Sequence, residues 1–531
     1  MKKYITLLIV VLFGLISCED FLVEEPKGEP TNANFWKTEA DVISATTALY
    51  IFNDFQGIYG RGMNLYSLVP SDDFVVGKPK GQIEDIKNFI TSGNGSYTRD
   101  IWPMHFIVVK RANDIIRNVT DLEINADVKN FALGEAYFMR GLAYFQLSLL
   151  YGDNNSGGIP IVDETITEDF FIERPTSVST SYEFAAESFT KAAALLPYFD
   201  ATNNDRLGRP HKNAALGYLA RVHLHNAEFN PASWDSVITA CDEVINSNKN
   251  ALESNFEDAF KIASNWGSEY LWSVPSNTIG GSMFAGASLE NRGWTYHNGW
   301  GYFAPTLDLY ESYEAGDARR DATLLAFGDE FEFFGSTRKY ASANSLTGFQ
   351  LKKYLEPFGY ANAVELNPNG DHPSTNLNLP LLRYSHILLM KAEALIVKNG
   401  AGSGDTEINL VRARANLAAK TGATLEDLKA ERRAEFAGEL LGRYEDLCRW
   451  GDVAKIKGAL HGKRHLGVVF DTAEGINKGF PVLGTDFTEV FPTTEVWQER
   501  SNFILETHRV WPIPANAIDT SRETLSQNLG W

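Results

Sequence analysis

Cysteine is nearly absent: three residues in 531, at positions 18, 241 and 448. A disulfide framework or a cysteine-ligated metal cluster is therefore excluded as the means of holding the fold, and a chain of this length buries a core without either. Positive charge is also short. Lys and Arg total 48 against 68 Asp and Glu, a formal charge of −20. That field repels polyanions, so nucleic acid is excluded as a partner, as is binding to an anionic membrane face by charge. Long apolar runs are missing too. The longest, Tyr4 to Ile16, has thirteen residues, where a bilayer core takes about 20. Strict period-two alternation is absent over any length that would argue for a large sheet. So are the Gly-x-Ser-x-Gly elbow, a phosphate-cradling Walker loop, a strand-to-helix Gly-x-Gly-x-x-Gly, Cys-x-x-Cys and His-Glu-x-x-His.

What is present begins with an address. Lys2 and Lys3 precede the short apolar run, which ends Leu15-Ile16-Ser17-Cys18. This is the layout of a secretory signal closing on a lipobox, with residues 1–17 removed and Cys18 lipidated as the first residue of the mature chain. Glu19 and Asp20 follow, and residues 18–30 read as a lipid-anchored tether, with four Glu and two Pro between Glu19 and Pro30. Cys241 and Cys448 sit in helical contexts and read as inert buried thiols.

Helical periodicity dominates the rest. In 131-FALGEAYFMRGLAYFQLSLLYG the apolar residues Leu133, Ala136, Tyr137, Ala143, Tyr144, Leu147 and Leu150 form one buried stripe. Its small residues, set among large rings, invite close helix approach. Further helices are expected at 182-YEFAAESFTKAAALLP and 213-NAALGYLARVHLHNAEF, followed by two helical hairpins, 383-RYSHILLMKAEALIV with 406-TEINLVRARANLAAK and then 425-LEDLKAERRAEFAGELLGRYEDLCRW. The first of these resembles the second helix of a tetratricopeptide repeat. The run 431-ERRAEFAGE places opposite charges at helical spacing and predicts a solvated, ion-paired face. The intervals from about 56 to 100 and 263 to 380 lack sustained period and read as the working surface.

Candidate chemistry is sparse. His461 and His465 have a chelating spacing, but Gly458, Gly462 and Gly467 argue for a solvated loop. Glu311, Glu314, Asp317 and Asp321 could supply the carboxylate pair of a glycosidase, though a solvated acidic helix explains them as well. From Asp153, the segment DNNSGGIPIVDE partly matches a calcium loop through Asp153, Asn155 and Glu164. Gly157 replaces a ligand and Pro160 intrudes, so a plain helix-ending loop is the competing reading. The densest feature is 292-RGWTYHNGWGYF. Trp294, Tyr296, Trp300 and Tyr302 are spaced by Gly and Asn with no apolar period to bury them. Flat rings pack on the C–H faces of sugars while a neighbour such as Arg292 answers hydroxyls; the alternative is a satellite core pinning a long loop. Asp72, Asp73, Tyr97, Tyr354, Tyr360 and His372 are secondary candidates.

In order along nearly the whole chain, 18-CEDFLVEEP, 31-TNANFWKTEADVISATTALY, 135-EAYFMRGLAYFQLSLLYGD, 209-RPHKNAALGYLARVHL, 313-YEAGDARRD, 380-PLLRYSHILLMKAEAL, 431-ERRAEFAGELLGRYEDLCRWG, 509-RVWPIPANAI and 527-QNLGW closely resemble the SusD/RagB family of Bacteroidetes outer-membrane nutrient-binding lipoproteins. Two departures stand out: Thr520-Ser521-Arg522 in place of the usual Asn-Pro, and Leu529 for Pro near the end. The resemblance implies a mostly α SusD-like fold, with four tetratricopeptide-like hairpins as scaffold and an irregular, loop-rich ligand-binding half. It divides the chain into an N-terminal part, 31–262, and a C-terminal part, 263–531, whose ligand region is 263–380, the two forming one compact body. It implies a non-catalytic protein on the cell exterior, held in the outer membrane by its lipid, that passes oligosaccharides to a SusC-like TonB-dependent transporter. Binding of peptides or another nutrient, and a surface glycoside hydrolase, are the alternatives. No cofactor is expected beyond the calcium candidate.

Overall fold

The structure, a computed structural model, describes residues 35–53, 58–77, 81–168, 171–276, 301–333, 336–340, 345–354, 377–465, 492–497 and 500–531. It is mostly helical, as the periodicity predicts. In the N-terminal half the helices are α1 (Glu39–Thr47), α2 (Gly62–Leu68), α3 (Gly81–Lys87), α4 (Ile101–Val119), α5 (Ala126–Tyr151), α6 (Val178–Leu195), α7 (Lys212–Asn226) and α8 (Ser233–Asn246). The C-terminal half adds α9 (Tyr384–Asn399), α10 (Asp405–Arg414), α11 (Leu425–Phe436) and α12 (Arg443–Trp450), with several helices of four to six residues. Strands among the described residues form only two-stranded antiparallel ribbons. Two of them matter below. One pairs β1 (Phe74–Val76) with β3 (Phe303–Pro305), and the other pairs β2 (Tyr270–Val274) with β4 (Leu379–Arg383).

Local sequence explains the helix ends. Thr38 and Thr424 close capping boxes with Asp41 and Asp427, each hydroxyl taking an orphan N–H while the Asp carboxylate takes another. Asn125 accepts from the N–H groups of Asp127 and Val128 to start α5. Helix α5 is the spine, packing along α4 and α6. Its glycines do what the sequence suggested. A Cβ on Gly134 would stand 2.7 Å from the Leu196 side chain, and one on Gly141 would stand 3.1 Å from the Phe189 ring. Gly217 of α7 similarly makes room for Leu382 and Leu271, seating the β2–β4 ribbon on the helices. One hydrophobic cluster, from Val42 to Leu525, takes residues from both halves of the chain.

Four expectations need correction. The interval from about 56 to 100 is not a surface throughout: residues 58 to 76 are buried, and all seven residues of α2 lie in the interior. The cause is composition: Tyr59, Met63, Leu65, Tyr66 and Leu68 are apolar or aromatic, and the polar Asn64 and Ser67 bond the Tyr59 carbonyl and the Leu441 N–H. Tyr66 stacks flat on Trp511, ring centres 4.2 Å apart. Residues 460–465 form a strand paired with 492–497 instead of a loop, and the His461 ring bonds Asp308 at 2.9 Å. The acidic stretch after Tyr310 is not wholly solvated: Asp317 is buried and grips Arg319, while Glu314 pairs with Arg412.

The fourth correction is the largest. The charges of 431-ERRAEFAGE are ion-paired, as predicted, but buried. Glu431, Glu435 and Glu439 are at most 3% exposed and meet Arg319, Arg383, Arg414 and Lys353. Glu269, just before β2, holds Arg383 and Arg414 from the other side. Ions removed from water survive only when every partner is in place, so this network ties β2, β4, α10 and α11 into one geometry.

Both Cys241 and Cys448 are buried and unpaired. Burial pushes both thiols up, that of Cys448 to about 12. A thiol reagent added to native protein should leave both unmodified over minutes and label both in denaturant, read by mass spectrometry. Rapid labelling of either in the native state would contradict the packing.

Candidate functional site

Residues 292–300, the aromatic loop, lie outside the described residues, and so do Cys18, Tyr360 and His372. The structure does describe where that loop returns. Gly301 and Tyr302 lead into β3, whose register with β1 is Val76↔Phe303, Val75↔Ala304 and Phe74↔Pro305. The ribbon extends one step further, the Gly77 N–H donating to the Tyr302 carbonyl at 3.2 Å. There the backbones nearly touch: a Cβ on Gly77 would stand 2.3 Å from the Gly301 oxygen. Gly77→Ala is thus expected to force the root of the loop away from β1, lowering the thermal midpoint and weakening ligand binding by about tenfold or more, about 1.4 kcal/mol. An alanine variant with unchanged affinity would separate the site from this ribbon.

Tyr302 does not stand in solvent as its setting suggested. It is buried, and its hydroxyl meets Arg61. Burial is the larger influence on that hydroxyl and raises its pKa, with Arg61 pulling the other way. Arg61, which begins α2, also lies over the Tyr97 ring, 4.2 Å from its centre. Tyr97 is half-buried, on a loop pinned by Gln82 of α3. The Gln82 amide oxygen accepts the Tyr97 N–H at 2.8 Å and the Ser96 hydroxyl at 3.1 Å, while its nitrogen donates to Thr98 at 3.2 Å. Three elements distant in sequence thus converge on Arg61, Tyr97 and Tyr302, at the foot of the aromatic loop. Of these, Arg61 escaped the sequence reading, since a lone Arg at a helix start carries no pattern.

Asp72 and Asp73 are corrected outright as ligand contacts. Both are buried and face inward. Arg443 grips Asp72 through Nε and Nη2 at 2.7 and 2.8 Å, and Arg433 Nε donates to Asp73 Oδ1 at 2.8 Å. Burial raises both carboxyls. For Asp72, Arg433 and Arg443 outweigh it and hold the group well below the usual range, whereas for Asp73 burial and the neighbouring Asp72 charge win and the pKa rises. Their backbones support the site instead, the Asp73 carbonyl accepting Thr306 N–H at 2.9 Å. Tyr354 is buried too, bonding the Gly438 carbonyl.

At the calcium candidate, Asp153 and Glu164 take protein partners. Asp153 Oδ1 accepts the N–H groups of Asn155 and Ser156 at 2.8 and 2.6 Å, closing a tight turn. Glu164 turns to Arg140, which reaches it through Nη1. The cation at this loop is Arg174, donating to the carbonyls of Tyr151, Gly157 and Gly158. Among the described residues no group of three or more His, Cys, Asp or Glu is gathered as a metal would need.

The sequence did not suggest a second concavity. Between α4, the 160–172 segment and the C-terminal turn at 516–525 runs a cleft of about 860 Å³, floored by Trp102, Phe106, Ile166, Phe171 and Leu525. Its polar neighbours are occupied: Asn113 donates to the Val162 carbonyl, Asp114 takes Lys110 and Arg117, and the hydroxyls of Thr520, Ser521 and Thr524 bond backbone carbonyls. It therefore offers few free donors to a polar ligand.

The family described as the SusD family matches residues 268–531, and one described as "Starch-binding associating with outer membrane" matches 81–224. The chain belongs to the SusD family. Neither description is that of an enzyme, and the second places its members in association with the outer membrane. SusD-like protein P2 of Formosa agariphila is 26% identical over 487 residues, 86% of this chain and 91% of its own. A SusD-like protein of Bacteroides ovatus is 25% identical over 85% of this chain and 83% of its own. Among solved structures, a SusD-like protein from Bacteroides fragilis superposes with a TM-score of 0.73 at 22% identity, covering 94% of this chain and 99% of the other. Surface glycan-binding protein A from Bacteroides thetaiotaomicron, in complex with laminarihexaose, does so with 0.69 at 21% identity over 92% and 99%.

Of the departures from the usual SusD-family pattern, the structure explains one. The Leu529 N–H donates to the Ser156 hydroxyl at 2.8 Å, a bond the usual Pro could not make. The other, Thr520-Ser521-Arg522, leads into a turn where Arg522 and Glu523 take positive φ of 54° and 68°. Arg522 lies over the Phe171 ring, 4.0 Å from its centre, beside the cleft.

Proposed function

We propose that this protein captures oligosaccharides at the cell surface without catalysis, held in the outer membrane by lipid on Cys18, and passes them to a SusC-like TonB-dependent transporter. The observation that carries the reading is the likeness of fold, over nine-tenths of the chain, to a protein solved in complex with laminarihexaose. A laminarin-binding SusD-like protein is a further neighbour, with a TM-score of 0.68. The Arg61–Tyr97–Tyr302 cluster supports it locally. Buried Arg61 and Tyr302 back the half-buried Tyr97, whose ring offers an apolar face to sugar C–H groups, and the sequence leading to Tyr302 carries Trp294, Tyr296, Trp300 and Arg292. An acidic chain favours neutral glycans over anionic ones.

Affinity electrophoresis of the mature protein against a panel of polysaccharides, laminarin among them, tests the reading. Retardation by at least one neutral glycan is expected, and migration unchanged on every gel sinks it. Release of reducing ends during incubation would instead favour a hydrolase. The handover is tested separately, by co-purification of a TonB-dependent transporter with the lipidated protein from outer membranes.

A further inference from the structure

Behind β1, where Asp73 meets α11, lies a narrow recess with room of about 10 Å³, lined by Asp73, Arg432, Arg433, Ala437, Arg443 and Asp446, among others. Most polar atoms around it are engaged. Asp73 Oδ1 accepts from Arg433 Nε at 2.8 Å, Arg432 Nε and Nη2 donate to Asp446 at 2.9 and 3.1 Å, and Arg443 holds Asp72. Three atoms of these lining residues are buried without a hydrogen-bond partner: Asp73 Oδ2, Arg432 Nη1 and Arg433 Nη2. Arg433 Nη2 stands 3.4 Å from Asp72 Oδ2, an ion-pair distance without a hydrogen bond. Asp73 is fully buried and Arg432 only 6% exposed. Buried polar groups left unpaired are costly, and native interiors satisfy nearly all of them.

The unmatched atoms specify their ligand. Two are donors and one is a carboxylate acceptor, so the missing group must accept twice and donate once. Charge sets a second condition. Arg432, Arg433 and Arg443 are balanced by Asp72, Asp73 and Asp446, and an ion of either sign would upset that balance. An anion would satisfy the guanidiniums but confront Asp73 Oδ2, while a cation would satisfy Asp73 but confront the guanidiniums. The volume is the third condition. Room of about 10 Å³ for a water centre holds one molecule and no more. We propose that one buried water molecule binds here as a permanent part of the fold, accepting from Arg432 and Arg433 and donating to Asp73. It completes the joint between β1, the root of the candidate site, and α11. This inference stands whether or not the protein binds glycans.

A crystal structure of the mature protein at about 1.5 Å should show a single fully occupied peak 2.6–3.2 Å from all three atoms. Empty density, or an anomalous peak at that position in crystals grown with bromide, would overturn the proposal. Ala437 lines the same cavity, so Ala437→Ser introduces a hydroxyl in competition with the water. Oxygen-17 relaxation dispersion should then report one long-lived water fewer than in the wild type, and equal counts would refute the assignment. The wild-type density decides by itself should that variant fail to fold.

Discussion

Glu435→Ala is expected to destabilise the protein by about 3–5 kcal/mol, which is a third or more of a typical folding free energy. Glu435 is fully buried and is met by Arg319, Arg383 and Arg414. Truncating it leaves three buried guanidiniums facing one carboxylate fewer. Denaturant unfolding of variant and wild type measures the loss, and a change below about 1 kcal/mol would show that the network relaxes around the deletion. If the variant does not fold, the wild type carries the same information in its pH dependence. Burial raises the Glu435 carboxyl, but Arg414, Arg383 and Arg319 outweigh it and hold the pKa well below the ordinary value. A depressed folded-state pKa contributes stability above the unfolded value of about 4.3, and that stability is lost as the pH falls toward the folded value.

Glu445 acts with the opposite sign. Burial pushes its carboxyl up to about 8, so the folded state prefers it protonated. Stability from this group is present below the unfolded value of about 4.3 and declines as the pH rises from there toward 8. The joint contribution of the two is greatest near the unfolded value of about 4.3 and falls on either side of it. Glu445→Gln should flatten the alkaline side while leaving the acid side in place. Stability that changes equally between pH 5 and 8 in Glu445→Gln and the wild type would contradict this account.

The second large effect concerns binding. Tyr97→Ala, Trp294→Ala and Trp300→Ala are each expected to weaken binding of a retained glycan by about 2 kcal/mol, roughly thirtyfold, as aromatic anchors do when truncated. Calorimetric titration with that glycan reads the effect. Thermal midpoints should move little, because Tyr97 is only half-buried and the loop tryptophans occur without an apolar period. Trp variants that lose stability instead of affinity would turn the loop into a satellite core. Phe106→Ala, in the cleft beside α4, is the control. If it abolishes binding while Tyr97→Ala stays within about twofold of wild type, the ligand sits in that cleft and the proposed site is wrong.

Much of the scaffold is legible in the sequence. The 3.6-residue period of 131–152 announced α5, and its small residues announced close packing, because a helix records its buried face in its own sequence. The helical hairpin of 425–450 was equally clear, and the chain turns between Phe436 and Arg443, where Gly438 and Leu441 take positive φ. The candidate site was half legible. Glycine-spaced rings named the loop, but its root was misjudged: Tyr302 looked exposed and is buried, and Arg61 carried no signal.

The charges mark the boundary between the two kinds of knowledge. By itself the sequence determined the helical class, the scarcity of cysteine, the acidic surface that turns polyanions away, and which residues along each helix share a face. What it left open was what lies opposite each face. Glu435 meets partners 52 and 116 residues away, and Asp72 meets Arg443 from 371 residues away. A pattern of opposite charges at helical spacing is the same whether water or a guanidinium covers it. Only the tertiary structure sealed 431-ERRAEFAGE and Asp72-Asp73 inside, because burial depends on what the rest of the chain brings to cover a surface, and local periodicity does not encode that.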